Sequence, residues 1–122
     1  TYAGNPLAIA AAHAVIEVMM DEKLPERGQR LGDALKARLD GLCGAVSQIT
    51  DIRGLGAMVA VQFTDADFTK RVQAEALQRG LILLTCGVDG NVLRFLFPLT
   101  IEEAVFDEAL AILEAALKAA RG

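Results

Sequence analysis

Apolar residues fall at helical spacing in four stretches of the chain and in short unbroken runs between them. The first stretch opens at Asn5-Pro6, where Asn can accept from free backbone amides and Pro at the first helical position loses no hydrogen bond. Leu7, Ala11, Ala14, Val15, Val18 and Met19 follow at helical spacing, and the segment ends near Asp21-Glu22-Lys23. Alanines on several sides predict close packing against neighbours. A second helix is predicted from Leu24-Pro25 to Gly41 and Gly44. Its apolar stripe is Leu24, Leu31, Leu35, Leu39 and Leu42, with Arg27, Arg30, Lys36 and Asp40 mostly off it. Gly28 and Gly32 inside this helix each cost about 1 kcal/mol relative to Ala. Their small size would admit the close approach of another helix.

Ser47 to Arg53 reads as extended, Gly54-Leu55-Gly56 as a sharp bend, and Ala57 to Phe63 as a strand. Thr64, Asp65 and Asp67 can cap a third helix running to Arg79, with Phe68, Val72, Ala76 and Leu77 on one face and Gly80 as the residue just past its end. Leu81 to Thr85 and Val92 to Phe97 read as strands of a hairpin, joined by a loop that contains the turn signal Asp89-Gly90. Pro98 stops the second of them. Thr100-Ile101-Glu102-Glu103 has the form of a capping box for a last helix. That helix carries Val105, Phe106, Ala109, Leu110, Leu113, Ala116 and Leu117 and ends at Gly122. The predicted order is α-α-β-β-α-β-β-α. It implies a two-layer α/β (α+β) domain, with a mostly antiparallel sheet of three or four strands packed on about four helices.

Composition narrows the function. At 122 residues there is room for one domain, residues 1–122, and the 53% hydrophobic and 23% charged content excludes intrinsic disorder. A net charge of −4 implies no basic face, so nucleic acid and anionic membranes are poor partners. The longest apolar stretch, Leu7 to Ile16, contains His13 and is about half the length that spans a bilayer. No export signal opens the chain, which points to the cytoplasm. Cys43 and Cys86 stand far apart with no CxxC or Cys/His spacing, so they read as reduced thiols and not as a zinc site.

Arg94 is the most informative single residue, because it interrupts an otherwise apolar strand, Val92-Leu93-Arg94-Phe95-Leu96-Phe97. A guanidinium stays charged, and its planar fork matches a carboxylate bidentately. Two readings stay open on these grounds: Arg94 faces solvent or an acid of its own chain, or it captures a small carboxylate. His13, in an Ala-rich helix, reads as a hydrogen-bonded structural histidine. Arg53-Gly54-Leu55-Gly56 is too short for a phosphate loop and leads into a strand, so it reads as a tight bend. Lys23, Lys36, Lys70 and Lys118 all fall on exposed helix surfaces, where no desolvated nucleophile is expected.

Four segments resemble the C-terminal part of class III transaminases, the pyridoxal-phosphate enzymes of fold type I. They are Thr1-Tyr2-Ala3-Gly4-Asn5-Pro6-Leu7, Asp51 to Met58, Gly80 to Gly87, and Asn91 to Ile101. The match runs the length of the chain and is most similar to the 4-aminobutyrate branch, with acetylornithine and ornithine aminotransferases as competitors. The resemblance implies that residues 1–122 are the small C-terminal domain, with residues 1–23 as the leading helix that connects it to a large domain upstream. It implies that Arg94 binds the α-carboxylate of glutamate or 2-oxoglutarate. It also implies that Thr1 donates its hydroxyl to the phosphate of pyridoxal 5'-phosphate across the interface of a homodimer. An ω-amino acid would be the donor. The Schiff-base lysine, the aspartate for the pyridine nitrogen and a second arginine would lie upstream, so these residues alone are expected to be inactive. The rival of another class is a non-catalytic α/β module that holds a small carboxylate through Arg94.

Overall fold

In the inner strands of the sheet every second side chain is apolar and turned the same way, and that alternation decides which face is covered. The computed structural model describes residue 1 and residues 3–121. In chain order the elements are α1 (Pro6–Asp21), α2 (Leu24–Asp40), β1 (Ile49–Leu55), β2 (Met58–Phe63), α3 (Ala66–Gln78), β3 (Leu84–Cys86), β4 (Val92–Phe95) and α4 (Glu103–Ala119). The four strands form one sheet in the order β1-β2-β4-β3, with every neighbouring pair antiparallel. The predicted order and the two-layer α/β architecture are therefore observed. The helix end expected at Gly122 lies outside the described residues.

Val59, Val61 and Phe63 of β2 and Leu93 and Phe95 of β4 turn to one face and are buried. They meet Leu31, Leu35 and Leu39 of α2, Phe68 and Val72 of α3, and Phe106, Leu113 and Leu117 of α4 in one continuous core. Phe63 and Phe68 pack edge-to-face with ring centroids 5.1 Å apart. The α2 stripe is buried as predicted. On α3 the fourth apolar position differs: Leu77 is exposed, and Thr69 takes the buried place, its hydroxyl donating to the Asp65 carbonyl at 2.8 Å.

Helix α1 departs from the expectation of close packing. None of its residues is buried, and Leu7 is 80% exposed. Its Asn5 cap forms as predicted, accepting from the Leu7 and Ala8 amides at 3.0 and 3.2 Å. It touches only α2, across a junction where Lys23 takes the left-handed conformation at φ 50°. Alanine on several sides makes a helix able to pack widely, and among the described residues only α2 meets it.

Gly32 does admit a close approach, though of a turn and not of a helix. A Cβ there would lie 1.8 Å from the Gly56 carbonyl oxygen, so α2 sits directly on the β1–β2 turn. The strand expected from Leu81 begins only at Leu84, because the preceding groups bond to α3. The Leu81 amide donates to the Ala76 carbonyl at 2.9 Å, past a left-handed Gly80, and Gln73 donates to the Leu83 carbonyl at 2.8 Å.

The Thr100–Glu103 capping box does not form. The N-cap of α4 is Glu102, without a side-chain bond. Glu103 is drawn sideways, accepting from Arg27 Nη1 at 2.8 Å and from Arg30 Nη2 at 2.6 Å. The Arg30 hydrogen bond above all, then Arg27, holds the Glu103 carboxyl below the ordinary carboxylate range, and the Arg30 guanidinium is raised in return.

Candidate functional site

Among the described residues, no helix contacts the face of the sheet away from α2, α3 and α4. On it one row of paired residues runs from Arg53 of β1 through Ala60 of β2 and Arg94 of β4 to Leu84 of β3. Arg53 is neutralised where it stands, its Nη1 donating to Asp51 at 2.5 Å and to Gln62 at 3.0 Å. Arg94 is exposed, and among the described residues its side chain has neither a carboxylate partner nor a hydrogen bond. Arg94 thus faces solvent, as the first reading allowed, with no acid paired to it among the described residues, and capture of a small carboxylate stays open.

Arg94 also borders an apolar cavity of about 410 Å³ that lies mainly against α4 and the covered core, with Leu35, Leu83, Phe95, Phe106, Leu110 and Leu113 in its lining. The strand that presents it is fixed at its start. Asn91 Nδ2 donates to the Phe63 carbonyl at 3.0 Å, and the Phe63 amide donates to the Asn91 carbonyl at 2.8 Å. The β3–β4 connection turns through Gly87 and Gly90, both at positive φ, as the Asp89-Gly90 signal predicted. What this arrangement can do chemically is hold an anion: one exposed guanidinium from a strand position paired with Ala60, with apolar residues nearby.

The other residues singled out in the sequence do not gather here. Thr1 is exposed and precedes α1, whose 16 residues extend roughly 24 Å and touch only α2. The structure does not bring Thr1 to the Arg94 strand. His13 is exposed on α1, not a hydrogen-bonded structural histidine, because that helix is buried nowhere. Of Arg53-Gly54-Leu55-Gly56, read as a tight bend, the first three residues belong to β1, and the turn comes only at Gly56, with φ 55°. Cys43 and Cys86 are free thiols. Sequence reasoning missed Arg27, placed merely off the apolar stripe. Its partners lie 72 to 76 residues on, at Leu99, Ile101 and Glu103, and no local signal joins them.

The sequence profile of the family described as Aminotransferase class-III matches residues 1–117. The chain belongs to the class-III aminotransferases. It is 48% identical to the 5-aminovalerate aminotransferase DavT of Pseudomonas putida and 43% identical to the 4-aminobutyrate aminotransferase GabT of Escherichia coli, in each case over 93% of this chain and 28% of the relative. Among solved structures, the ornithine aminotransferase of Toxoplasma gondii superimposes with a TM-score of 0.84 at 32% identity, over 97% of this chain and 28% of that one. The chain thus spans less than a third of the length of the relatives it matches.

Class-III aminotransferases are pyridoxal-phosphate enzymes. An amine that binds the cofactor needs a pKa lowered by burial or by neighbouring positive charge. Here Lys36 pairs with Asp33 at 3.0 Å and Lys118 with Glu114 at 2.6 Å, each beside negative charge. Lys70 is exposed on α3, and Lys23 is exposed at the α1–α2 junction. None of the four stands in the Arg94 row. The residues of this chain therefore do not by themselves form a site for the cofactor. Among the described residues there is also no cluster of metal-ligating side chains, and no helix is long and apolar enough to cross a membrane.

Proposed function

We propose that this chain is the small domain of a pyridoxal-phosphate-dependent transaminase that moves an amino group from an ω-amino acid to 2-oxoglutarate, and that Arg94 receives the α-carboxylate of 2-oxoglutarate and of glutamate. The observation that carries the reading is Arg94 itself, a guanidinium with no carboxylate partner among the described residues, presented by a strand of the open sheet face. Its fixed fork can donate to both carboxylate oxygens at once and so set the keto acid's orientation as well as its affinity. The donor class is supported by relatives named for 5-aminovalerate and 4-aminobutyrate. The cofactor carries the electron-sink chemistry of amino transfer, and this chain contributes orientation of the acceptor. The large domain, with the lysine, and a homodimer belong to the same proposal.

Replacing Arg94 with Lys in the intact enzyme keeps the charge and loses the fork. Single-turnover rates should fall far more in the 2-oxoglutarate half-reaction than in that of 4-aminobutyrate. Equal losses in both, or none, would contradict the assignment.

Thr1 is assigned the cofactor phosphate as a hydroxyl donor from the other subunit of the dimer, on the resemblance of the Thr1–Leu7 segment to the family. Thr1 is exposed, as a contact made in trans requires. Thr1→Val should weaken cofactor affinity roughly 10- to 150-fold, the loss of one hydrogen bond to a charged phosphate worth about 1.5–3 kcal/mol. An unchanged dissociation constant would remove Thr1 from the site.

A further inference from the structure

β4 is held at both ends, and by different means. Asn91 fixes its start through the Phe63 backbone. Its exit, the segment from Leu96 to Glu102, has no strand partner, and two of its carbonyls are instead bound by one side chain from α2. Arg27 Nε donates to the Leu99 carbonyl at 2.6 Å, Arg27 Nη2 donates to the Ile101 carbonyl, and Nη1 donates to Glu103 at 2.8 Å. All three nitrogens of the guanidinium are used, and its side chain is only 24% exposed, against 58% for Arg30 beside it. The same stretch of α2 meets Leu99 at Gly28, where a Cβ would stand 3.4 Å from the Leu99 methyls. It also meets the β1–β2 turn at Gly32. The backbone that leaves Arg94 is thus anchored to α2 five residues later.

We infer that Arg27 is a positioning residue for Arg94: its bonds to the Leu99 and Ile101 carbonyls hold the end of β4 where the Arg94 fork can take a carboxylate in two-point contact. The inference rests on the assignment of Arg94 as the acceptor's carboxylate site. The ion pair with Glu103 is a separate element. It ties α2 to α4 through Nη1 and makes no bond to the strand exit. Removing Arg27 frees two carbonyls and lets the strand end drift, whereas removing the Glu103 charge leaves both carbonyl bonds in place.

The test compares Arg27→Gln, Arg27→Lys, Glu103→Gln and Arg94→Lys in the intact transaminase. Each is measured for KM toward 2-oxoglutarate, for the donor half-reaction rate and for Tm. Arg27→Gln should raise the 2-oxoglutarate KM about three- to tenfold with the donor half-reaction unchanged, as expected for one or two lost hydrogen bonds. Arg27→Lys, able to reach one carbonyl, should fall between Gln and the native residue. Glu103→Gln should lower Tm and leave KM alone. A KM that follows Tm through all these variants, or a native KM in Arg27→Gln, would overturn the inference. Should Arg27→Gln fail to fold, an unchanged KM in folded Arg27→Lys overturns it equally. If Arg94→Lys raises KM and the Arg27 variants do not, only this inference falls. If Arg94→Lys has no effect, the reading of Arg94 falls first.

Discussion

The two faces of the sheet are built from the same strands and obey opposite rules. On the covered face, β2 and β4 place Val59, Val61, Leu93 and Phe95 against three helices, and every one of these side chains is buried. On the open face the neighbouring positions hold Ala60, Gln62, Arg53 and Arg94, while Leu55, Met58 and Leu96 stand exposed close by. The first pattern is what any two-layer domain needs to fold. The second leaves apolar surface and an uncompensated guanidinium facing outward, and folding gives no reason for either. The difference runs along a single strand: Leu93 and Phe95 belong to the core and Arg94 between them does not, although Val92, on the Arg94 face, is buried as well.

The largest effect that could break this comparison is on stability. Phe63→Ala on the covered face should cost about 3–5 kcal/mol in urea unfolding of the chain, since it empties a fully buried ring site. Leu84→Ala, on the open face beside Arg94, should cost far less, because its side chain is already partly in water. Comparable losses at the two positions would mean that the faces do not divide the work in this way.

A smaller effect lies at the rim, in acid. Hydrogen bonds, from Arg30 and Arg27 for Glu103 and from Lys118 and Arg38 for Glu114, hold both carboxyls below their ordinary range. Asp65 is lowered first by the Phe68 amide it caps and then by Thr64. Groups lowered in the folded state bind protons more weakly than in the unfolded chain. Their contribution is therefore complete above the ordinary carboxylate range and is lost as pH falls through the folded values. Unfolding free energy should decline below about pH 4, and Glu103→Gln should flatten that decline. An acid limb unaltered by the substitution would show that the Arg27–Arg30–Glu103 cluster adds nothing to folding. Exposed pairs of this kind also weaken with salt.

The covered face was legible in the sequence, because burial on one side of a helix or strand writes a period into it. The α2 stripe, the α3 face as far as Ala76, the Gly80 stop and the Asp89-Gly90 turn all follow from local rules. The order of the strands was not legible, since β2 pairs with β4 over a separation that no local pattern encodes. The capping box at Thr100 failed for a related reason: a local bond lost to guanidiniums from α2, more than 70 residues away. Helix α1 misled in the other direction. Its apolar residues on all sides signalled burial, and burial requires a partner that this chain does not supply. Of the site, Arg94 stood out because a charge in an apolar strand needs a reason, while Arg27 looked like any other charge on a helix.

The account stands most directly on Arg94, and binding alone can test it, without any chemistry. Glutarate has the two carboxylates of 2-oxoglutarate and no keto group to react. Its inhibition constant, measured in the intact enzyme with Arg94 and with Arg94→Met, isolates the guanidinium–carboxylate contact. Loss of a charge-assisted pair of about 1.5–3 kcal/mol should weaken glutarate roughly 10- to 150-fold and leave butyrate, which lacks the second carboxylate, far less affected. Equal affinity for glutarate in the two proteins would contradict the assignment of Arg94, and with it the division of the sheet into a folding face and a binding face.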